Sequence, residues 1–329
     1  MKLRPRVLRD VTERALRTTV LGHPLSMPML LAPCGFARMV HRDGERAVAR
    51  AAARAGTAYV LTGGSSFTIA EVASAGPVWF QLYVPPRRAA TEALLDEAEQ
   101  AGCTVLCVTL DGQVQLARDR DYRNRVTVPL ARSPRVLLQG ARHPAWLRDF
   151  LRGRVARGPA CERIASEYWR LARSVTHTAS VTVDDLRWLR GRWRGPLVVK
   201  GVMRAEECDA LIDCGVDAVI VSNHGGRLLD GTSATIEALP EIVDAVAGRA
   251  EVLLDGGLRR GTDVVKALAL GARACLVGRP YLWGLAAGGE DGVLAVLEIL
   301  RREIDQAMAL LGCTSVDEID ASIARAAPV

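Results

Sequence analysis

Eight short apolar runs, separated by longer amphipathic segments, restrict the fold of this chain more than any other feature. The runs are candidate strands at Pro28–Ala32, Ala58–Thr62, Val78–Tyr83, Val105–Leu110, Leu197–Lys200, Ala218–Ser222, Val252–Asp255 and Ala274–Val277. Their short length and continuous hydrophobicity are typical of parallel strands that are covered on both faces. Segments with helical character lie between and after them, at Gly44–Ala55, Arg88–Ala101, Val183–Arg190, Ala205–Cys214, Thr235–Ala247, Thr262–Leu270 and Gly292–Leu311.

Eight strand–helix units in succession predict an α/β fold, a (β/α)8 TIM barrel that forms a single domain over residues 1–329. An open doubly wound sheet is the competing arrangement for the same pattern. The barrel is favoured because the unusual polar residues and glycines follow the carboxyl ends of the strands, which is the face of a barrel that carries the chemistry.

One segment interrupts the rhythm between the fourth and fifth candidate strands, and we define it as an insertion over residues 126–182. Arg-rich sequence with interleaved apolar residues fills its part from Arg132 to Gly158. A long loop at the active-site face is typical of a lid or a substrate-selecting element. A plain surface insertion with a short helix at His143–Leu151, or a contact with a membrane surface, would give the same pattern.

Composition excludes several classes of protein. Hydrophobic residues make up 49% of the 329, so a large core is available, and the net charge of +6 comes without a dominant basic block, which argues against nucleic acid as a partner. Eight cysteines, without a Cys-x-x-Cys pair or zinc-ligand spacing, predict reduced thiols and no metal site. Neither a signal peptide nor an apolar stretch of about 18 residues is visible, so we expect a cytoplasmic protein without an integral membrane segment.

Five side chains at or just after predicted strand ends suit acid–base chemistry on an organic acid. His224 follows a buried run, and imidazole moves protons near neutral pH, while Arg227 provides a guanidinium that grips a carboxylate. Asp111 would orient the histidine ring, or otherwise cap a turn. Tyr83 would donate to an oxyanion, or otherwise be a rim residue, and Lys200 would stabilise an anion in the barrel mouth, or otherwise reach solvent.

Two glycine–arginine loops predict a phosphate site. Asp255-Gly256-Gly257 precedes Arg259, and Gly278 precedes Arg279. Glycines let a phosphate approach backbone amides, and barrels often bind phosphate after strands seven and eight. The alternative to phosphate binding is that both loops are tight turns with arginines on the surface. At the first strand, Ala32-Pro33-Cys34 would lay backbone against a planar ring, with Cys34 either a reactive thiol or, more in keeping with its surroundings, a small buried apolar group.

These motifs resemble those of the FMN-dependent α-hydroxy-acid oxidases and dehydrogenases, the group of glycolate oxidase, lactate oxidase and mandelate dehydrogenase. The resemblance runs from about Arg4 to the end of the chain, and its order and spacing are highly specific. It is carried by Leu31-Ala-Pro33, Phe80-Gln-Leu-Tyr83, Thr109-Leu-Asp111, Asn124-Arg125, Val199-Lys200-Gly201, Ser222-Asn-His-Gly-Gly-Arg227, Asp255-Gly-Gly257 with Arg259 and Gly261, and Gly278-Arg279-Pro280.

The resemblance implies FMN as cofactor, a small-molecule 2-hydroxy acid as substrate and a homotetramer. It implies that His224, paired with Asp111, is the base, and that hydride passes to flavin N5, although a carbanion route would use the same base. Arg118 and Arg227 would hold the substrate carboxylate, with Tyr83 on the substrate oxygen. The implied cofactor-binding residues are Ala32, Pro33, Cys34, Thr62, Gln81, Thr109, Lys200, Ser222, Asp255, Gly257, Arg259, Gly278 and Arg279.

Departures from the family pattern predict a more open pocket. Family members usually have an N-terminal segment with a second active-site tyrosine, whereas here the first tyrosine is Tyr59. A tryptophan that often follows strand two is replaced by Gly63-Gly64, the usual Thr-Pro after the strand-four aspartate by Gly112-Gln113, and the usual threonine after Ala-Pro by Cys34. The missing tyrosine segment and the replacement of the tryptophan by Gly63-Gly64 suit a bulky or aromatic substrate.

Two other functions remain compatible with the sequence. One is an FMN barrel with different chemistry, an isomerase or a tailoring enzyme that acts on a larger natural product or peptide. The other is a flavin- or phosphate-binding scaffold without turnover. The second is disfavoured because a chain without catalysis has no physical need for His224, Asp111, Arg227 and Lys200 together.

Overall fold

Eight parallel strands close into a barrel in the computed structural model, which describes residues 1–112, 119–124, 138, 140–152 and 181–325. In chain order they are β1 (Met29–Leu31), β2 (Tyr59–Thr62), β3 (Val78–Leu82), β4 (Leu106–Thr109), β5 (Leu197–Val202), β6 (Ala218–Val221), β7 (Glu251–Asp255) and β8 (Ala274–Val277). Pairing of β8 with β1, from Cys275 with Met29 to Val277 with Leu31, closes the ring. The predicted TIM barrel is therefore confirmed, and the open-sheet alternative is wrong.

The strands are buried on both faces, as their unbroken apolar sequences predicted. In β1, Leu30 belongs to a cluster with Val60, Ile220 and Leu253, whereas Met29 belongs to a second cluster, which includes helical residues. Because successive side chains of a strand point to opposite faces, the first cluster fills the barrel and the second lies between the strands and the helices. The four named side chains of the first cluster are completely buried.

The helices surround this barrel. They span Gly44–Ala55, Ile69–Ala73, Arg88–Gln100, Asp119–Asn124, Pro144–Arg152, Val183–Arg192, Cys208–Asp213, Thr235–Val246, Gly261–Ala269 and Arg279–Leu311. Two antiparallel pairs of short strands lie outside the barrel, Thr18–Val20 with His23–Leu25 and Lys2–Leu3 with Ala324–Arg325.

Two helix predictions differ in detail from the structure. The helical span Arg279–Leu311 is broken by a kink at Gly288 and Gly289, whose backbones are not helical, so the predicted helix from Gly292 is the part that follows the kink. A helical part that begins at Arg279, with Pro280 in its first turn, was not predicted. The helix predicted from Ala205 starts with a 3-10 turn, and its α-helical part begins at Cys208. The short helix Ile69–Ala73 was not predicted, although Thr68 and Glu71 form a capping box before it.

The described part of the insertion contains a helix close to the predicted one, Pro144–Arg152. Trp146 Nε1 donates to Met39 O at 2.9 Å, and the Asp149 carboxylate accepts from Arg42 N at 2.8 Å. This helix therefore docks on the segment that follows β1. Apart from 138 and 140–152, residues 126–180 lie outside the described part of the chain, so the lid and membrane hypotheses stay predictions.

Among the described residues, no helix is both long and apolar enough to cross a membrane. Seven cysteines in this part of the chain are free thiols, and six of them are buried. The single-domain organisation, the homotetramer and the cytoplasmic location stay predictions.

Candidate active site

A cavity of about 450 Å³ opens at the carboxyl ends of the barrel strands. Loops after six of the eight strands line it, together with Lys200 from within β5, which is why residues distant in sequence meet there. The lining residues that the sequence singled out are Ala32, Pro33, Cys34, Thr62, Tyr83, Lys200, His224, Arg227, Asp255, Gly257, Arg259, Gly278 and Arg279.

Three of the predicted side chains form a continuous hydrogen-bonded row at one end of the cavity. His224 Nδ1 lies 3.0 Å from Asp111 Oδ1, and His224 Nε2 lies 3.2 Å from the Tyr83 hydroxyl. An ionised carboxylate only accepts, so Nδ1 carries the proton and Nε2 presents a lone pair. The Tyr83 hydroxyl donates to that lone pair. The sequence prediction that Asp111 orients the ring agrees with this geometry.

Tyr83 is a neutral hydroxyl in this site. Burial raises the pKa of Tyr83, and the negative charge of Asp111 raises it further, while Arg227 opposes the shift. Phenolate formation is therefore disfavoured, and the hydroxyl stays a hydrogen-bond donor at neutral pH.

The backbone after β6 is bent to present the imidazole. His224, Gly225 and Gly226 all have left-handed backbones, with φ of 57°, 67° and 70°. A non-glycine residue in such a conformation costs about 1 kcal/mol or more, and such strain clusters at functional sites. The Ser222 hydroxyl accepts from His224 N at 3.1 Å, and Asn223 O accepts from Gly226 N at 3.0 Å.

A glycine in β5 allows Asp111 to reach the histidine. Gly201 has φ of 104°, and a Cβ placed there would lie 2.6 Å from Asp111 Cγ and 2.9 Å from Asp111 N. No side chain fits in that space. In the sequence Lys200-Gly201, the lysine thus provides a cation, and the adjacent glycine leaves the space that the Asp111 side chain occupies.

Lys200 is buried rather than extended into solvent. Its side chain is 4% exposed, its Nζ lies 3.0 Å from Asp255 Oδ2, and it donates to Ser222 Oγ at 2.7 Å. Burial alone lowers the pKa of Lys200, but the charges of Asp255 and Asp111 outweigh it and hold this pKa above its ordinary value. The side chain is therefore an ammonium that faces the cavity.

The other end of the cavity combines open glycine backbone with guanidinium groups. A Cβ at Gly257 would meet no protein atom within 4 Å, so the space beside this backbone is open. Arg259 and Arg279 line the same region from the loops after β7 and β8. Arg279 Nη2 also donates to Gly225 O at 2.8 Å, which connects this end to the loop that carries His224.

Three predicted cofactor residues lie in the buried layer at the strand ends. Gln81, Thr109 and Ser222 are at most 3% exposed, and Gln81 Nε2 donates to Thr109 Oγ1 at 2.9 Å. In the part of the chain that the structure covers, Gln81 Oε1 finds no hydrogen-bond partner although it is buried. Arg118, predicted to hold the substrate carboxylate, lies outside the described residues.

The sequence reasoning missed the apolar lining residues Phe36, Leu282 and Trp283, and it missed Glu45, a buried carboxylate next to the cavity. Glu45 is completely buried, and its carboxylate accepts from Ala37 N at 3.0 Å and from Ser66 N at 3.1 Å. It thereby joins the loops after β1 and β2, which both line the cavity. The sequence contained an indication of this buried carboxylate. Glu45 precedes Val48 and Ala52 at helical spacing, so it lies on the apolar face of the helix.

Comparison with known proteins gives consistent matches. The model of the family described as FMN-dependent dehydrogenase matches residues 1–326. An L-lactate oxidase of a Nostoc species is 44% identical over 328 residues, which cover 98% of this chain and 86% of the relative. Human 2-hydroxyacid oxidase 1 is 42% identical over 333 residues, covering 100% and 86%. A crystal structure of (S)-mandelate dehydrogenase, described as a monotopic membrane protein, superposes with a TM-score of 0.90 at 39% identity, covering 98% and 87%.

Proposed function

The chain belongs to the FMN-dependent dehydrogenase family as an FMN-dependent α-hydroxy-acid oxidase or dehydrogenase, and we propose that His224 is the base of its reaction. The observation that carries this proposal is the row Asp111–His224–Tyr83. It places the basic nitrogen Nε2 at the cavity, next to the Tyr83 hydroxyl, and holds the opposite ring nitrogen on a carboxylate.

The residues of the cavity, together with Gln81 from the buried layer at the strand ends, fit FMN. The buried acceptor Gln81 Oε1 lacks a partner among the described residues, and an isoalloxazine edge or a ribityl chain offers N–H and O–H donors. The open backbone at Gly257, with Arg259 and Arg279, suits a phosphate dianion. We propose that these residues, with Lys200 near the ring, hold the cofactor.

His224 Nε2 takes a proton from the substrate in this proposal, either from the hydroxyl or from the α-carbon. When bound, FMN supplies the acceptor for the electron pair that leaves the substrate. Asp111 stabilises the imidazolium that forms, because its carboxylate already bonds Nδ1. Tyr83, kept neutral, donates to the substrate oxygen as the latter develops into a carbonyl.

The substrate carboxylate is assigned to Arg227. This exposed guanidinium lines the cavity on the same loop as His224, so an acid held by it would place its α-carbon near the base. We keep Arg118 as the proposed second partner of the carboxylate. Three arginines and Lys200 line the cavity with a single carboxylate, Asp255, which favours a site for two anionic groups.

We propose further that the substrate is bulky or aromatic. Gly64 lines the cavity on the loop after β2, where a side chain would otherwise fill space. Phe36, Leu282 and Trp283 provide apolar lining, and Trp283 is 60% exposed at the rim. Several solved structures that superpose on this chain are mandelate enzymes, which supports the same substrate class.

Anaerobic flavin reduction tests the proposal. The purified protein, loaded with FMN, is mixed with mandelate, lactate and glycolate in separate runs, and the loss of flavin absorbance and the formation of the 2-oxo acid are followed. We expect bleaching, with a larger ratio of the reduction rate constant to the substrate Kd for mandelate than for glycolate. Bound flavin that dithionite reduces but no 2-hydroxy acid does would contradict the activity, and a preference for glycolate would contradict the bulky substrate alone.

A further inference from the structure

We call the part of the cavity at Gly257, Arg259 and Arg279 the phosphate end, and the part at His224 and Tyr83 the catalytic end. One hydrogen bond connects them. The exposed guanidinium of Arg279 donates through Nη2 to the carbonyl oxygen of Gly225 at 2.8 Å, and Gly225 directly follows His224. A Cβ at Gly225 would lie 3.1 Å from Arg279 Nη2, so the guanidinium packs closely on this backbone. We propose that Arg279 is a positioning residue that couples phosphate binding to the ordering of the loop 223–227.

The loop needs such a support because it holds one strained residue between flexible ones. His224 is a non-glycine residue with a left-handed backbone, and the glycines Gly225 and Gly226 adopt many conformations without strain. Within the loop, the bonds from Gly226 N to Asn223 O and Asn223 Oδ1, at 3.0 and 3.1 Å, form a tight turn. Glycines also gain more entropy than other residues when a loop opens. A charged donor on Gly225 O therefore stabilises a conformation that the local sequence alone favours little.

A guanidinium can serve both ends at once. It carries five N–H donors on one rigid plane, and the bond to Gly225 uses one of them. The others remain available on a side chain that lines the phosphate end of the cavity. A phosphate that fixes the plane of Arg279 also fixes the donor to Gly225 O, since the group cannot bend. Coupling of this kind is reciprocal, so the ordered loop strengthens phosphate binding by the same factor.

The inference rests on the proposed function in one respect, namely that this end of the cavity binds the phosphate of FMN. It adds a consequence for catalysis: His224 and Arg227 reach their positions when the phosphate end is filled. A phosphate alone, without the ring, is then sufficient to order the catalytic loop.

Amide hydrogen exchange of the FMN-free protein tests this, with inorganic phosphate as the probe. The amides of His224 and Gly226 are informative because they bond to Ser222 Oγ and Asn223 O within the loop. We expect saturating phosphate to slow their exchange about tenfold, the factor that corresponds to one charge-assisted hydrogen bond. Amides of the distant helix segment 295–308 serve as the internal reference, and their exchange should stay unchanged.

Three variants separate the coupling from charge and from folding. In Arg279→Gln, and equally in Arg279→Lys, we expect phosphate to change the exchange of the loop less than twofold, because a point ammonium keeps the charge but not the rigid fork. In the matched control Arg259→Gln, which removes a charge from the same cavity, the loop should still respond once phosphate saturates. Thermal unfolding midpoints and the reference helix show whether each variant is folded.

Equal protection of the loop by phosphate in wild type and Arg279→Gln would overturn the inference, as would full coupling in Arg279→Lys or no protection in wild type. These failures differ from failure of the proposed function. If FMN binds and a 2-hydroxy acid reduces it while the loop ignores phosphate, only the coupling is wrong. If neither phosphate nor FMN binds, the assignment of the phosphate end is wrong as well.

Discussion

Removing the buried ammonium of Lys200 should destabilise the protein strongly. In the structure its Nζ lies 3.0 Å from Asp255 Oδ2, and the two side chains are 4% and 8% exposed. In Lys200→Met the carboxylate would remain buried without its partner. Loss of one member of a buried pair costs about 3–5 kcal/mol of unfolding free energy, or roughly 6–10 °C in Tm at about 2 °C per kcal/mol for a chain of this size.

The double variant shows whether the effect belongs to the pair. Lys200→Met combined with Asp255→Asn leaves no buried charge at this position, so we expect it to recover most of the loss and to lie within about 2 kcal/mol of wild type. Urea unfolding of the FMN-free protein, followed by tryptophan fluorescence, gives the four free energies. A loss below 1 kcal/mol in Lys200→Met, or additive losses in the double variant, would refute the reasoning.

The same pair predicts the sign of a pH effect. The pKa of Lys200 in the folded protein lies above its ordinary value of 10.5, so the folded state holds this proton more tightly than the unfolded state. The contribution of the pair is therefore complete below about pH 10.5 and is lost as the pH rises through the folded-state pKa. The stability difference between wild type and Lys200→Met should be constant from pH 7 to 9 and should shrink above pH 10.5.

Three further perturbations follow from contacts in the site. Gly201→Ala would place a Cβ 2.6 Å from Asp111 Cγ, so we expect a loss of about 1–3 kcal/mol in urea unfolding and slower anaerobic flavin reduction. Gly112→Ala would place a Cβ 2.6 Å from Tyr83 Cε1, so flavin reduction should slow while the FMN spectrum is retained. Because burial raises the pKa of Cys34, iodoacetamide at pH 8 should alkylate this thiol several-fold more slowly than a cysteine in a peptide, as measured by mass spectrometry.

Gly191→Ala is the matched control for both glycine substitutions. A Cβ at this helical position would meet no protein atom within 4 Å, so stability should stay equal or rise slightly, with unchanged flavin reduction. Gly201→Ala or Gly112→Ala behaving like this control would show that the close contacts do not matter. For Cys34, alkylation at the rate of a free peptide thiol would contradict the effect of burial.

The sequence predicted the barrel and most of the site for a common physical reason. In a parallel barrel the carboxyl ends of all strands meet on one face, so a polar residue that follows an apolar run has its position in space fixed by the fold. His224, Asp111 and Tyr83 follow this rule. His224 lies 3.0 Å from Asp111 and 3.2 Å from Tyr83, which is the contact that the predicted roles require, while the roles themselves stay predictions.

The sequence could not show which residues from different strands and loops contact each other. The bond from Arg279 to Gly225 O connects residues 54 positions apart, and it depends on the left-handed backbone of the loop. The pairing of Lys200 with Asp255 likewise depends on two strands that are not neighbours in the barrel. The helical part that begins at Arg279 was missed because Gly288 and Gly289, with non-helical backbones, separate it from the predicted helix that begins at Gly292.

The role of His224 as the base is tested most directly by His224→Asn. Asparagine tolerates the φ of 57° at this position and its side-chain amide can donate to Asp111, but it has no basic nitrogen. The variant should bind FMN with a normal spectrum and bind the substrate with a Kd within a few-fold of wild type. We expect the rate of anaerobic flavin reduction, measured by stopped flow, to fall about 10²–10⁴-fold. Reduction within tenfold of the wild-type rate would show that the proton goes to another group.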